Sequence, residues 1–159
     1  MLSRRLARRT ALQILFTNDF LRENIKDVTS KVSESLEERV IPFTMDLVIK
    51  TSENEEELND LIKKHLRNWD YQRVAVLDRV LIRMALCEMI YFPDIPVEVT
   101  INEALEISKD FSNLKSRKFV NGILDSIYKE LKAGNKLLKN IPVKVALSRK
   151  KQPQQKGNT

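Results

Sequence analysis

Only three glycines and five prolines interrupt these 159 residues. A chain so poor in turn-formers has little material for the repeated tight reversals of an all-β fold. Leu, Ile, Lys, Glu and Arg abound instead, and these favour helix. Apolar residues recur at spacings of three and four through most of the chain, as they do in helices with one buried face. The length fits one domain, or two small helical subdomains sharing a core. The expected fold class is therefore all-α.

Residues 4–20 read as a first helix, with Ala7, Ala11, Ile14 and Leu15 as its apolar stripe. A polar helix carrying Val28, Val32 and Leu36 is expected over 24–39. Pro42 suits the first turn of the next helix, where its missing N–H costs nothing, and Phe43, Leu47 and Val48 form the inner face. Ser52 with Glu55, and Thr100 with Glu103, have the spacing of capping boxes. Trp69 and Tyr71 mark a loop between halves, with the indole as a core plug. Residues 73–92 are the most apolar helical run and hence the central one, with Asp78 on an outer face and Arg79 and Arg83 as salt-bridged surface. The two prolines of Phe92–Pro93–Asp94–Ile95–Pro96 end it. A further helix, beginning at Pro96 or, by the Thr100/Glu103 box, slightly later, has Ile101, Ala104, Leu105 and Phe111 inward and stops at the polar break Ser112–Asn113. The last helix spans 115–132 and includes Gly122, whose expected use is close backbone approach by a neighbour or partner. Gly134 and Asn135 stop it, which gives a body at 1–132 and a flexible basic tail at 133–159.

The reactive side chains are few. Cys87 is the only cysteine and His65 the only histidine, so a disulfide within the chain is excluded and a Cys/His zinc site lacks ligands. Cys87 reads as a buried, inert thiol, and His65 as a residue favouring the helix dipole or facing water. No catalytic triad, phosphate loop or metal cluster is present, so no cofactor or metal is expected. No run is long and apolar enough to span a bilayer, and the first ten residues lack the apolar core of a secretory signal. A reducing, cytoplasmic setting fits. Function is expected in surfaces and not in a reaction.

Charge locates those surfaces. Eight Lys and Arg and no acidic residue follow Leu131, which leaves 20 basic against 22 acidic residues before it. Arg4, Arg5, Arg8 and Arg9 concentrate at the other end. They form like-charged i,i+4 pairs in the first turns of a helix, where both neighbour repulsion and the helix dipole disfavour them. A local penalty of that kind suggests use, and the planar fork of arginine suits phosphate. The alternative is a solvated basic face that only aids solubility.

Three segments, RRLARRTALQILF, LDRVLIRMALCEMIYFPDIPVEVTINEAL and KFVNGILD, together resemble the bacterial NusB transcription antitermination family, over roughly residues 4–132. The resemblance implies an all-helical fold of about seven helices, in two small subdomains sharing a long central helix. It implies binding of boxA sequence in nascent RNA together with NusE, a small-subunit ribosomal protein. That complex joins NusA, NusG and RNA polymerase and suppresses premature termination. By the same resemblance Arg4, Arg5, Arg8 and Arg9 face RNA, Asp78 lies near NusE, and Phe119 lies close to both RNA and partner. Lys115 stands where some members carry an acid. With Arg117 and Lys118 it makes a basic cluster at the start of the last helix, so Lys115 and Lys118 are expected to strengthen RNA contact. Phe119 can equally be core.

Two other classes compete with an RNA-binding factor. A NusB-like domain also begins certain ribosomal RNA cytosine methyltransferases, but this chain has no glycine-rich loop and no room for their cofactor domain, so an enzyme is not expected. A helical adaptor, such as a homodimer whose arginines are merely solvated, leaves no distinctive spacing to test.

Overall fold

The structure, a computed structural model, describes residues 2–21, 24–34, 36–66 and 71–137. Its regular elements are helical: α1 (Leu2–Leu21), α2 (Ile25–Ser33), α3 (Ile41–Glu53), α4 (Glu55–Lys64), a 3-10 turn at Tyr71–Arg73, α5 (Val76–Tyr91), α6 (Val97–Ser108) and α7 (Leu114–Ala133). The seven α-helices match the number expected. No helix of the described residues is long and apolar enough to cross a membrane.

Every side chain from Val80 to Met89 in α5 is buried, and α5 touches α1, α3, α4, α6 and α7. Helices α1, α2 and α3 pack together on one side of it, α6 and α7 on the other, and α4 reaches both α3 and α7. The shared helix is central by burial and not by length, since its 16 residues fall short of the 20 in α1 and in α7. Ala7, Ala11, Ile14 and Leu15 are all buried, as are Leu47, Val48, Ile107, Leu124 and Ile127. Proline starts α3 as expected.

Asp78 and Arg83, expected on the surface of α5, are instead buried, as is Glu88. Arg83 donates to Asn59 Oδ1 (2.8 Å) and the Tyr71 hydroxyl (3.1 Å), with Asp19 at 3.4 Å. Glu88 accepts Arg8 Nη2 at 2.6 Å, Arg8 Nε at 2.9 Å and the Thr100 hydroxyl at 3.0 Å. One carboxylate thereby ties α1, α5 and α6 together. Arg8 and Glu88 side chains are 5% and 2% exposed, so neither charge has water as a substitute partner.

Neither expected capping box forms. Ser52 lies within α3, and the single residue Asn54 links it to α4 without a side-chain cap bond. Helix α6 starts after Pro96, the earlier of the two expected starts, and Thr100 and Glu103 point into the fold to Glu88 and Arg5. A spacing of three also places two side chains on one face of a helix, and here that face is buried.

Three further expectations change. Gly122 is exposed, and a Cβ built there would meet nothing within 4 Å, so no other helix among the described residues uses it for close approach. His65 caps the C-terminal end of α4 but is only 14% exposed, with Nδ1 2.7 Å from Ser126 Oγ and Nε2 3.2 Å from Glu130. It links α4 to α7 instead of facing water. Helix α7 does stop near Gly134, but the left-handed residue is Asn135, at φ 57°. The Asn135 N–H reaches Lys132 O and the Lys136 N–H reaches Leu131 O, a closed helix end of the Schellman type. Leu137 is then buried in the core, so the packed body extends beyond 132. The rest of the expected tail, 138–159, and Trp69 lie outside the described residues. Cys87 is buried as expected, and burial pushes its thiol up to about 11, which keeps it inert.

Two substitutions test this packing by urea denaturation. Glu88→Ala strands the Arg8 charge and is expected to cost about 3–5 kcal/mol. Gly122→Ala fills empty space in a helix and is expected to add about 0.5–1 kcal/mol; a loss there would mean that another backbone approaches Gly122.

A candidate nucleic-acid interface

The first turns of α1 separate the four arginines by partner. The Arg4 guanidinium lies over the Phe43 ring of α3, 4.4 Å from its centroid. Arg5 donates Nε and Nη2 to the two oxygens of Glu103 on α6, at 2.8 and 3.0 Å. Arg9 reaches Asp110, just after α6, at 2.8 Å, with both side chains about half exposed. An exposed pair of that kind is worth at most about 1 kcal/mol and yields readily to a competing anion. Arg8 faces inward on Glu88. Helical geometry divides the set: α1 must bury its Ala7–Ala11–Ile14 stripe, and Arg8 sits beside that stripe while the others flank it. Three arginines are presented to the outside and one is structural.

The second basic group lies at the start of α7. Asn113 caps that helix, its side chain accepting from the Ser116 N–H at 2.9 Å. Lys115 and Lys118 are exposed, whereas Arg117 is half-buried. Phe119 is also half-buried and packs against the core. With Arg73, Asp78, Asn113, Lys115 and Ser116 it lines a cleft of 270 Å³ between the beginnings of α5 and α7. The turn from α6 to α7 joins the two groups: Asp110 holds Arg9 near one end, and Asn113 opens α7 at the other.

Asp78 is the unusual member. It is 5% exposed, and its Oδ1 accepts no hydrogen bond among the described residues. Burial raises its carboxyl above the usual range. An unsatisfied buried acceptor facing a cleft is a costly feature in an isolated fold and a ready acceptor for a partner's N–H or O–H. A larger cleft of 580 Å³ includes Glu53, Glu56, Glu57 and Asp60 in its lining, and that charge does not suit a polyanion.

Sequence reasoning identified the cations but missed what braces them: Phe43, Glu103 and Asp110. Glu103 could have been read as a core carboxylate from its place among Ile101, Ala104 and Ile107, had the capping-box spacing not offered a simpler role. Asp110 carries no local signal, because its partner is about a hundred residues away along the chain.

The chain matches the NusB family over residues 5–129. The transcription antitermination protein NusB of Bacillus pumilus is 42% identical over 132 residues, covering 82% of this chain and 98% of its own length. NusB of T. maritima shares the fold with a TM-score of 0.75 at 36% identity, over 80% of this chain and 91% of that one. A crystal structure of antitermination factors NusB and NusE in complex with dsRNA matches with a TM-score of 0.75 at 27% identity, over 82% and 98% of the two chains.

A carboxyl whose pKa is raised by folding binds its proton more tightly in the folded chain, so ionised Asp78 lowers stability at neutral pH. That penalty vanishes once pH falls below the usual carboxylate range. Asp78→Asn is therefore expected to raise the melting temperature at pH 7 by roughly 2–4 °C, with the gain shrinking toward pH 3. Thermal scans across that range check both the sign and the trend.

Proposed function

The chain belongs to the NusB family, and on that footing we propose that it binds boxA-type single-stranded RNA together with NusE and helps RNA polymerase avoid premature termination. The family reading is a binding factor and not an enzyme. One observation carries the RNA part: Arg4, Arg5 and Arg9, in the first turns of α1, are held partly exposed by Phe43, Glu103 and Asp110, while Arg8 alone of the four is withdrawn. Arginines already ordered before a polyanion arrives lose less rotamer freedom on binding it. Phosphate contacts give affinity and orientation, and bases of an unstacked strand give preference.

Lys115 and Lys118 extend the basic surface at α7, and the edge of Phe119 at the cleft supplies an aromatic contact for a base or for NusE. Asp78 is assigned to NusE. Its uncompensated Oδ1 takes a donor that the described residues do not provide, and a protein backbone or side chain offers one more readily than an RNA phosphate does. NusA, NusG and RNA polymerase enter in the larger complex.

Fluorescence anisotropy with a boxA-type RNA and a scrambled control, each with and without NusE, tests this reading. The expected result is a preference for the boxA-type strand that NusE strengthens. Arg9→Ala and Lys118→Ala should each weaken binding by roughly three- to tenfold at moderate salt and flatten the log–log salt dependence by about one unit. Equal, weak binding to both RNAs in either condition would sink the proposal.

A further inference from the structure

Two carboxylates sit on the basic face, and their surroundings differ sharply. The Glu103 side chain is 7% exposed on α6 and clasps the Nε–Nη2 edge of Arg5 with both oxygens. The hydrogen bond from Arg5 holds its carboxyl below the usual carboxylate range, so it stays ionised and keeps its grip near neutral pH. The Asp110 side chain is 54% exposed in the turn after α6 and holds Arg9 through Nη2.

Resting on the RNA-binding reading above, we propose that Glu103 is a positioning residue for RNA, holding Arg5 in its binding orientation, whereas Asp110 is a displaceable competitor for the phosphate that Arg9 takes. The geometry separates the two. Glu103 is anchored, because α6 packs on α5 and α7 and the carboxylate emerges from a buried surface. It occupies two of the five N–H groups of Arg5 and leaves the two on Nη1 and one on Nη2, an end-on edge that still matches two phosphate oxygens. Arg5 remains 36% exposed at its side chain. Its rotamer is set before RNA arrives, so that ordering is not charged against binding. Asp110 offers no comparable anchor, and a phosphate reaching Arg9 must first displace it.

A smooth-field view of the same face gives a different answer. Removing either carboxylate raises the local charge by one unit, so both neutral variants should tighten RNA binding. Positioning makes the signs opposite.

The experiment measures affinity for a fluorescein-labelled boxA-type RNA and a scrambled control, using the full chain with NusE present. Asp110→Asn is expected to bind RNA roughly threefold more tightly, and Glu103→Gln roughly threefold or more weakly with less preference for the boxA-type strand. The weakening should disappear when Glu103→Gln is placed in an Arg5→Ala background, since Glu103 acts through Arg5. Arg5→Lys keeps the charge and loses the fork, and it should weaken binding as Glu103→Gln does even if the latter folds poorly; circular dichroism and melting curves identify that case. Binding by Glu103→Gln at or above the unsubstituted level in a folded protein overturns the proposal. So does weakening that persists without Arg5. Absence of RNA preference in the unsubstituted protein overturns the RNA-binding reading itself, and the positioning role falls with it.

Discussion

The buried contact among Arg8, Glu88 and Thr100 is the constraint on which the remaining arrangement depends. A guanidinium and a carboxylate withdrawn from water persist only if nearly all their hydrogen-bonding capacity is met. Here Arg8 gives three contacts to Glu88, and Thr100 adds a hydroxyl. These residues come from α1, α5 and α6. Apolar packing holds helices together but tolerates sliding, whereas a paired charge fixes rotation and register. Once Arg8 points at Glu88, the 100° step per residue of an α-helix determines where Arg4, Arg5 and Arg9 must emerge.

The same pairing reconciles two demands on one short segment. Four arginines in two helical turns repel one another, and a helix start is a poor place for cations. The fold answers with carboxylates drawn from other elements: Glu88 in α5, Glu103 in α6 and Asp110 beyond it. An aromatic ring from α3 takes Arg4. What looks like a concentrated positive charge in the sequence is thus a graded set, from fully committed Arg8 through clasped Arg5 to loosely held Arg9. Binding surfaces gain from such grading, because the ordered members are ready and the loosely held ones exchange partners at low cost.

Asp78 shows the opposite economy. A carboxyl buried without a hydrogen bond to Oδ1 opposes folding at neutral pH, and its position beside Phe119 and Lys115 gives that burden a use if a partner completes it. The helix that supplies it, α5, is otherwise the most thoroughly buried of the molecule, so the acid sits on rigid backbone. A loop would let it escape to water.

Much was legible in the chain itself. Spacing of apolar residues located most helices to within a few positions, although α2 ends at Ser33 and not at 39, and α5 could be picked out as central because it is apolar nearly all round. Composition and the lone Cys87 and His65 removed whole classes of chemistry, and the segments around IPVEVTINEA and KFVNGILD pointed to the family. Periodicity works because burial on one face is a local property of a helix. It does not say what lies opposite. Ser52/Glu55 and Thr100/Glu103 show the same spacing as a cap and as two neighbours on one helical face, and only the neighbouring helices decide between them. Asp78 and Arg83 were misplaced on the outside for the same reason: a charged residue in an apolar helix reads as surface until a partner from elsewhere, or a cleft, accounts for it. The sequence by itself determined that the chain forms helices, which residues line their buried stripes, and that cations gather at the first helix. Tertiary structure alone decided which arginine is structural and which are offered outward, because that choice is made by carboxylates 80 to about 100 residues distant, whose approach no local pattern encodes.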